Sequence, residues 1–342
     1  MSTITILGAG AMGSAIATPL IDAGHRVRLW GTHLDDHLVA AVRAGDPHPR
    51  TGVVVPPEVT SYLSSDIDVA MAGADVVVLA VSSPGVVDIT RLAAPFLADV
   101  RAVWLTSKGF APDGSGRVQL LPQVMEEVLA QETTRVPPIV AIGGPCKANE
   151  VASRHPTAPI FAAAEAPERW ARMATTRQYR VAHTTDRDGV ELCAALKNVY
   201  AIALGIADGM SELGDQPFHD LKAAAFARAL AELRLLLDAE GADPWTALGL
   251  AGAGDLEVTG LSGRNKVYGM RIGGGERADE ALSEMTAAEQ TVEGVPAVEF
   301  ALRFVQQRHP RLIDDLPLLV AVHAVVHQGR TADDIKEAAL SL

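Results

Sequence analysis

Lys197 and Asn198 stand alone as strongly polar residues inside residues 192–206, a run that is otherwise apolar on nearly every side. Burying an ammonium is costly, so a lysine there either snorkels to the surface or is held beside a partner or cleft for a purpose. The neighbouring positions offer no polar face for a structural lysine, which favours the second reading. Burial can also bring a lysine's pKa down toward the range that a proton donor or acceptor needs.

A second group of residues suits an anion. Gly8-Ala9-Gly10-Ala11-Met12-Gly13 follows the apolar run Ile4-Thr5-Ile6-Leu7 and opens the small-residue stretch Ser14-Ala15-Ile16-Ala17. In a G-x-G-x-x-G turn the first glycine allows a sharp exit from the strand. The second leaves no Cβ between backbone and ligand, and the third lets helix and strand pack closely. The helix N-terminus then offers free N–H groups to a pyrophosphate, so this turn is read as a dinucleotide site.

A third group lies in a glycine-rich run over residues 248–265, which carries Asp255, Thr259, Arg264 and Asn265 and reads as a polar, close-approach loop. An arginine next to an amide suits a phosphate, which its fork binds bidentately. The alternative is a helix-linking loop whose arginine caps a carbonyl.

These residues need a scaffold to position them. Strands are expected at residues 4–7, 25–30, 74–81, 102–105 and 138–142, with a short extended piece at 53–55 inside a loop rich in Gly, Pro and charge. The run at 74–81 is continuously apolar after Asp75, as in a parallel strand buried on both faces. Parallel strands ending at Ser82, Thr106 and Gly143 would bring small residues and Lys108 to the ligand-binding edge of the sheet. Lys108 is equally readable as a solvated loop cation.

Residues 160–183 alternate strand pieces with a short helix near 168–175, and from Asp188 onward the pattern is helical. The expected fold is therefore α/β: a Rossmann-type dinucleotide-binding domain over 1–187 followed by an all-helical substrate domain over 188–342. The lysine-bearing run, at 15 residues, is shorter than the roughly 20 needed to cross a bilayer and reads as a buried central helix.

At the tip of the second strand, Gly31-Thr32-His33 with Asp35 and Asp36 beyond offers neither a clear acceptor for a ribose 2′-hydroxyl nor a clear cation for a 2′-phosphate. The choice between NAD and NADP stays open.

The chain has 342 residues, 48% hydrophobic and 21% charged, with a net charge of −13 and no basic block. This argues against nucleic acid as a partner, so an anionic ligand must be met by a few local cations. Two cysteines, Cys146 and Cys193, give neither a disulfide framework nor a metal cluster, and no metal is expected. A cytoplasmic protein without a membrane span is expected, and apolar helices in the second half suit a homodimer.

Taken together, these landmarks resemble the NAD(P)-dependent sn-glycerol-3-phosphate dehydrogenases over essentially the whole chain. They are the glycine turn, Leu29-Trp30-Gly31, Ser107-Lys108-Gly109, Gly144-Pro145, Ala195-Leu196-Lys197-Asn198, Gly254-Asp255-Leu256, Gly263-Arg264-Asn265 and Val292-Glu293-Gly294. The resemblance implies a small phosphorylated substrate and interconversion of glycerol 3-phosphate and dihydroxyacetone phosphate, or a closely related pair.

It makes Lys197 the general acid/base, with Asp255 as the second catalytic residue. Arg264 and Asn265 would hold the substrate phosphate, and Lys108, Gly144, Cys146, Asn198 and Thr259 would complete the substrate site. The implied cofactor set is Gly8, Gly10, Ala11, Met12, Gly13, Thr32, His33, Lys108, Ala148, Arg264, Thr291 and Glu293. The chain departs from the family pattern at Cys146-Lys147, at Ala11-Met12, and in the short stretch from Thr259 to Arg264, which lacks a cysteine after the threonine. Two other functions stay open on the residues alone: a ketoacid or hydroxyacid reductase, and a dinucleotide-binding sensor without turnover.

Overall fold

The structure, a computed structural model, describes residues 1–212, 217–288 and 290–341. The chain forms two compact units, one of Met1–Ala111 with Leu120–Glu191 and the other of Pro112–Gln119 with Leu192–Leu342.

The first unit is built on strands β1 (Thr3–Leu7), β2 (Arg26–Trp30), β3 (Thr60–Tyr62), β4 (Val76–Leu79) and β5 (Ala102–Leu105). A two-stranded piece follows, β6 (Phe110–Pro112) with β7 (Val118–Leu120), and then β8 (Ile139–Gly143), β9 (Ile160–Ala162) and β10 (Ala182–Thr184). The main sheet runs β10-β9-β8-β5-β4-β1-β2-β3, parallel except where β9 meets β8.

Both faces of the sheet are covered. Val76 and Val78 enter one core with Ile4, Ile6 and Trp104, while Val77 and Leu79 enter the other with Leu7, Val103 and Leu105. That explains why β4 is continuously apolar. The order reverses at β1, which pairs with β2 on one side and β4 on the other, and this switch point is where α/β sheets bind ligands. The extended piece expected at residues 53–55 is reduced to one bridge between Pro47 and Val54.

The second unit is helical around the helix Arg187–Glu212. At 26 residues this helix is long and apolar enough to cross a membrane, so the expected length of 15 is corrected: the helical pattern continues through Asp208 to Glu212. Burial identifies it as a core helix, since 94% of its most apolar window lies inside the protein.

The division between units also differs from the expected break after residue 187. Asp188 and Glu191, in the first turns of this helix, bond to Gln123 and to the Gly109 N–H of the first unit. Residues 112–119 join the second unit, where the Val118 N–H donates to Gln307 Oε1 at 2.8 Å.

The central helix meets the helix Arg264–Gly273 backbone to backbone. A Cβ on Gly205 would stand 2.3 Å from Lys266 O, and one on Gly209 would stand 2.1 Å from Met270 O. In return, a Cβ on Gly269 would stand 2.2 Å from Ile202 O, and one on Gly273 2.1 Å from Ile206 O. Only glycine fits at such spacings, and the crossing fixes the register between the two helices.

Candidate active site

In the first unit, Gly8 adopts φ +110°, and a Cβ there would lie 2.7 Å from Ala80 O, beyond the end of β4. A Cβ on Gly13 would lie 1.9 Å from Gly8 O, so the helix Ala11–Asp22 packs directly on the turn. Gly10 is different: a Cβ there would meet only Arg50 Nη1, at 3.4 Å. The open face of Gly10, the first-turn amides of Ala11 and Met12 and the Arg50 guanidinium together fit the pyrophosphate of a dinucleotide.

Arg50 escaped the sequence reading because it sits in a Gly/Pro-rich loop with no periodic pattern. The structure shows how it reaches the turn. His48 is fully buried, its Nε2–H donates to Ala9 O at 2.9 Å, and its Nδ1 accepts the Arg50 N–H at 3.2 Å. Burial holds its imidazole below the usual range, which keeps it neutral for this bridging role.

At the β2 tip the Asp35 carboxylate is buried and committed. One of its oxygens accepts from the Ala9 N–H at 3.3 Å, the Thr32 N–H at 3.1 Å and the Thr32 hydroxyl at 2.9 Å. Thr32 is thus turned toward the protein, while His33 is exposed at the tip.

Lys108 is half-buried at the carboxyl edge after β5 and is not a freely solvated cation. Gly144 adopts φ +90° after β8, where a Cβ would stand 3.2 Å from Ala158 O, so its contribution is backbone shape. Cys146 and Ala148 pack against the core of the first unit, with the Cys146 thiol beside the buried Tyr179 hydroxyl. Lys147 pairs with Glu150 at 3.7 Å.

The glycine-rich run of the second unit is not a loop. It forms a π-helical turn, Leu250–Gly254, then the helix Asp255–Leu261, and after a break at Ser262-Gly263 the helix Arg264–Gly273. Its glycines serve close packing: a Cβ on Gly252 would stand 2.0 Å from Ala247 O and one on Gly260 2.7 Å from Leu204 Cδ1.

This arrangement places the Asp255 carboxylate, 1% exposed, in an ion pair with Lys197, 12% exposed. Asp255 continues directly from the π-helical turn into its helix. The lysine therefore has the partner that burial demands. One turn along, the Thr259 hydroxyl donates to Asp255 O at 2.6 Å.

A second cluster adjoins through Asn198. Asn265 Nδ2 donates to Asn198 Oδ1 at 2.9 Å, and Asn265 Oδ1 accepts the Gly294 N–H at 2.8 Å. Asn198 Nδ2 in turn donates to Glu293 Oε2 at 3.4 Å, and Glu293 faces Arg264 at 3.8 Å. Asn265 is buried in this relay, whereas Arg264 and Glu293 are 51% and 54% exposed and Thr291 is exposed beside them. Arg264 occupies the first position of its helix, where the dipole disfavours a cation, so helix stability does not account for it.

Comparison with known proteins gives this geometry a family. Residues 3–169 match the model of the NAD-dependent glycerol-3-phosphate dehydrogenase N-terminus, and residues 186–337 match that of its C-terminus. The NADP(+)-dependent glycerol-3-phosphate dehydrogenase of Archaeoglobus fulgidus is 34% identical over 97% of both chains. Glycerol-3-phosphate dehydrogenase [NAD(P)+] of Geobacillus kaustophilus is 35% identical over 100% of this chain and 94% of its own. The crystal structure of glycerol-3-phosphate dehydrogenase from Coxiella burnetii superposes with a TM-score of 0.82 at 30% identity, covering 100% of this chain and 99% of the other. A dinucleotide turn in one unit, a buried lysine–carboxylate pair in the other and matches along both establish that the chain belongs to the NAD-dependent glycerol-3-phosphate dehydrogenase family.

Proposed function

We propose that the chain interconverts sn-glycerol 3-phosphate and dihydroxyacetone phosphate, and that it prefers NADPH. The observation that carries the reaction is the buried Lys197–Asp255 pair in the same unit as Arg264. When bound, the reduced nicotinamide supplies the hydride.

As the ketone is reduced, negative charge develops on its oxygen. The Lys197 ammonium stabilises that charge and donates the proton that completes the alcohol. In the reverse direction Lys197 takes the hydroxyl proton. Asp255 orients the lysine, while Arg264 and the amides of its helix N-terminus hold the substrate phosphate. Asn265, with both ends of its amide engaged, acts by fixing this helix against Asn198. Cys146 and Cys193 form no disulfide, which suits a reducing compartment such as the cytoplasm.

The preference for NADPH rests on the β2 tip. Asp35 is buried, and one of its oxygens already accepts from Ala9 and Thr32, which disfavours it as the acceptor for a ribose 2′-hydroxyl. Arg50 and exposed His33 belong to the two segments that converge on Ala9, and a cation there suits a 2′-phosphate. The Archaeoglobus fulgidus relative is itself named as NADP(+)-dependent.

The test is reduction of dihydroxyacetone phosphate and of unphosphorylated dihydroxyacetone with each cofactor. Turnover should favour NADPH, and kcat/KM should fall at least about 100-fold when the phosphate is removed. Equal rates with and without the phosphate would contradict the substrate assignment, and a clear preference for NADH would contradict the cofactor assignment.

A further inference from the structure

We propose that Glu191 is a positioning residue for Lys108, acting by holding the peptide unit that presents the lysine. Its side chain is 1% exposed, and its Oε1 accepts the Gly109 N–H at 3.3 Å. The carbonyl of that same peptide unit, Lys108 O, accepts from the Ser83 hydroxyl at 2.8 Å. The Lys108–Gly109 peptide is thus gripped at both of its polar atoms.

Its surroundings leave little slack. Gly109 adopts φ +151°, a Cβ there would stand 3.0 Å from Ser83 Oγ, and the Ser107 hydroxyl anchors the preceding residue to Val81 O at 2.6 Å. Among the described residues a carboxyl buried this deeply against one backbone N–H has a poor structural rationale, because an amide or hydroxyl would satisfy the same donor at lower desolvation cost.

The charged groups facing Glu191 are Lys108 from the loop after β5, and Arg187 and Asp188 from its own helix. Arg187 is already paired with Glu126 and Asp188. Lys108 is therefore the cation that a charge on Glu191 addresses. Burial pushes the carboxyl up to about 8, against the opposing pull of Gly109 and Lys108. Above that pH the carboxylate competes with an anionic substrate for the Lys108 ammonium, so substrate KM should rise there.

The inference rests on Lys108 taking part in the proposed reaction, and a double-mutant cycle separates the two claims. Glu191→Leu should lower kcat/KM about tenfold with Lys108 present and less than about twofold in the Lys108→Met background. An equal loss in both backgrounds would overturn the inference and make Glu191 merely structural. Wild-type activity in Lys108→Met would instead sink the assignment of Lys108.

Should Glu191→Leu fail to fold, or Lys108→Met be too slow to measure, Glu191→Gln decides. It keeps an acceptor for Gly109 and removes the charge. Loss of the rise in KM near pH 8, with thermal stability retained, supports the inference. A tenfold loss of kcat/KM in Glu191→Gln with thermal stability retained overturns it, because the acceptor for Gly109 is kept.

Discussion

Asn265 and Asn198 face each other through a 2.9 Å amide–amide hydrogen bond, in which Asn265 donates and its own carbonyl oxygen accepts the Gly294 N–H. This one side chain joins three helices: the one that carries Lys197, the one that Arg264 begins, and the one that Glu293 precedes.

The direction of that bond makes Asn265→Asp a sharp probe. A carboxylate would set an acceptor against Asn198 Oδ1, and Asn198 could answer only by turning its Nδ2 away from Glu293. The expected outcome is a loss of about 1–3 kcal/mol in stability and of at least tenfold in kcat/KM, measured by chemical denaturation and steady-state kinetics. Unchanged kinetics would show that the relay does not organise the site.

The glycine crossing beneath this relay should be equally intolerant. Gly269→Ala puts a methyl 2.2 Å from Ile202 O, a backbone atom that can yield only if the helices separate. Thermal denaturation should show a loss of about 3 kcal/mol, with activity falling beyond what the unfolded fraction explains. Gly275→Ala on the same segment meets nothing within 4 Å but has φ +96°, so its smaller cost should come from backbone strain alone.

Glu232 should contribute a loss of stability as pH rises from acid toward neutrality. This carboxyl is buried, accepts from the Tyr200 hydroxyl at 3.0 Å, and caps the helix Pro317–Gln328 through the N–H groups of Leu318 and Leu319 at 2.6 and 3.0 Å. Burial pushes it from 4.5 up to about 7. Between those values the folded chain keeps a proton that the unfolded chain releases, so each step up in pH favours unfolding. The contribution is fully present below about 4.5 and is lost by passage through about 7, on the order of 3 kcal/mol in total. Denaturation midpoints of wild type and Glu232→Gln across this window should converge toward high pH. A constant difference between them would contradict the assignment.

Arg50→Ala should weaken cofactor binding without altering the fold, since the guanidinium lies over Gly10 and is exposed. Titration of nicotinamide fluorescence should show a loss of about tenfold for NADPH and a smaller one for NADH. Equal, negligible effects on both would remove Arg50 from the site.

The parts legible in the sequence were those with a local pattern. Continuous apolar runs marked β4, β5 and β8, and the lone Lys197–Asn198 pair marked the central helix. The run at 248–265 misled because small residues that allow turns also allow helices to touch, and Gly252 and Gly260 are there for contact. Asp255 could be named as a candidate, but its pairing with Lys197, 58 positions away, depends on the chain folding back. Arg50, His48 and Glu191 were missed for the same reason. Their roles come from partners distant in sequence, Ala9 and Gly109, and no spacing within the chain advertises such contacts.

The most direct test of the account is Lys197→Met, assayed for oxidation of NADPH by dihydroxyacetone phosphate with cofactor binding followed in parallel by fluorescence. The account requires kcat to fall by about 10²–10⁴ while NADPH still binds. Turnover within about tenfold of wild type would contradict it, because neither the charge nor the proton of Lys197 would then be needed.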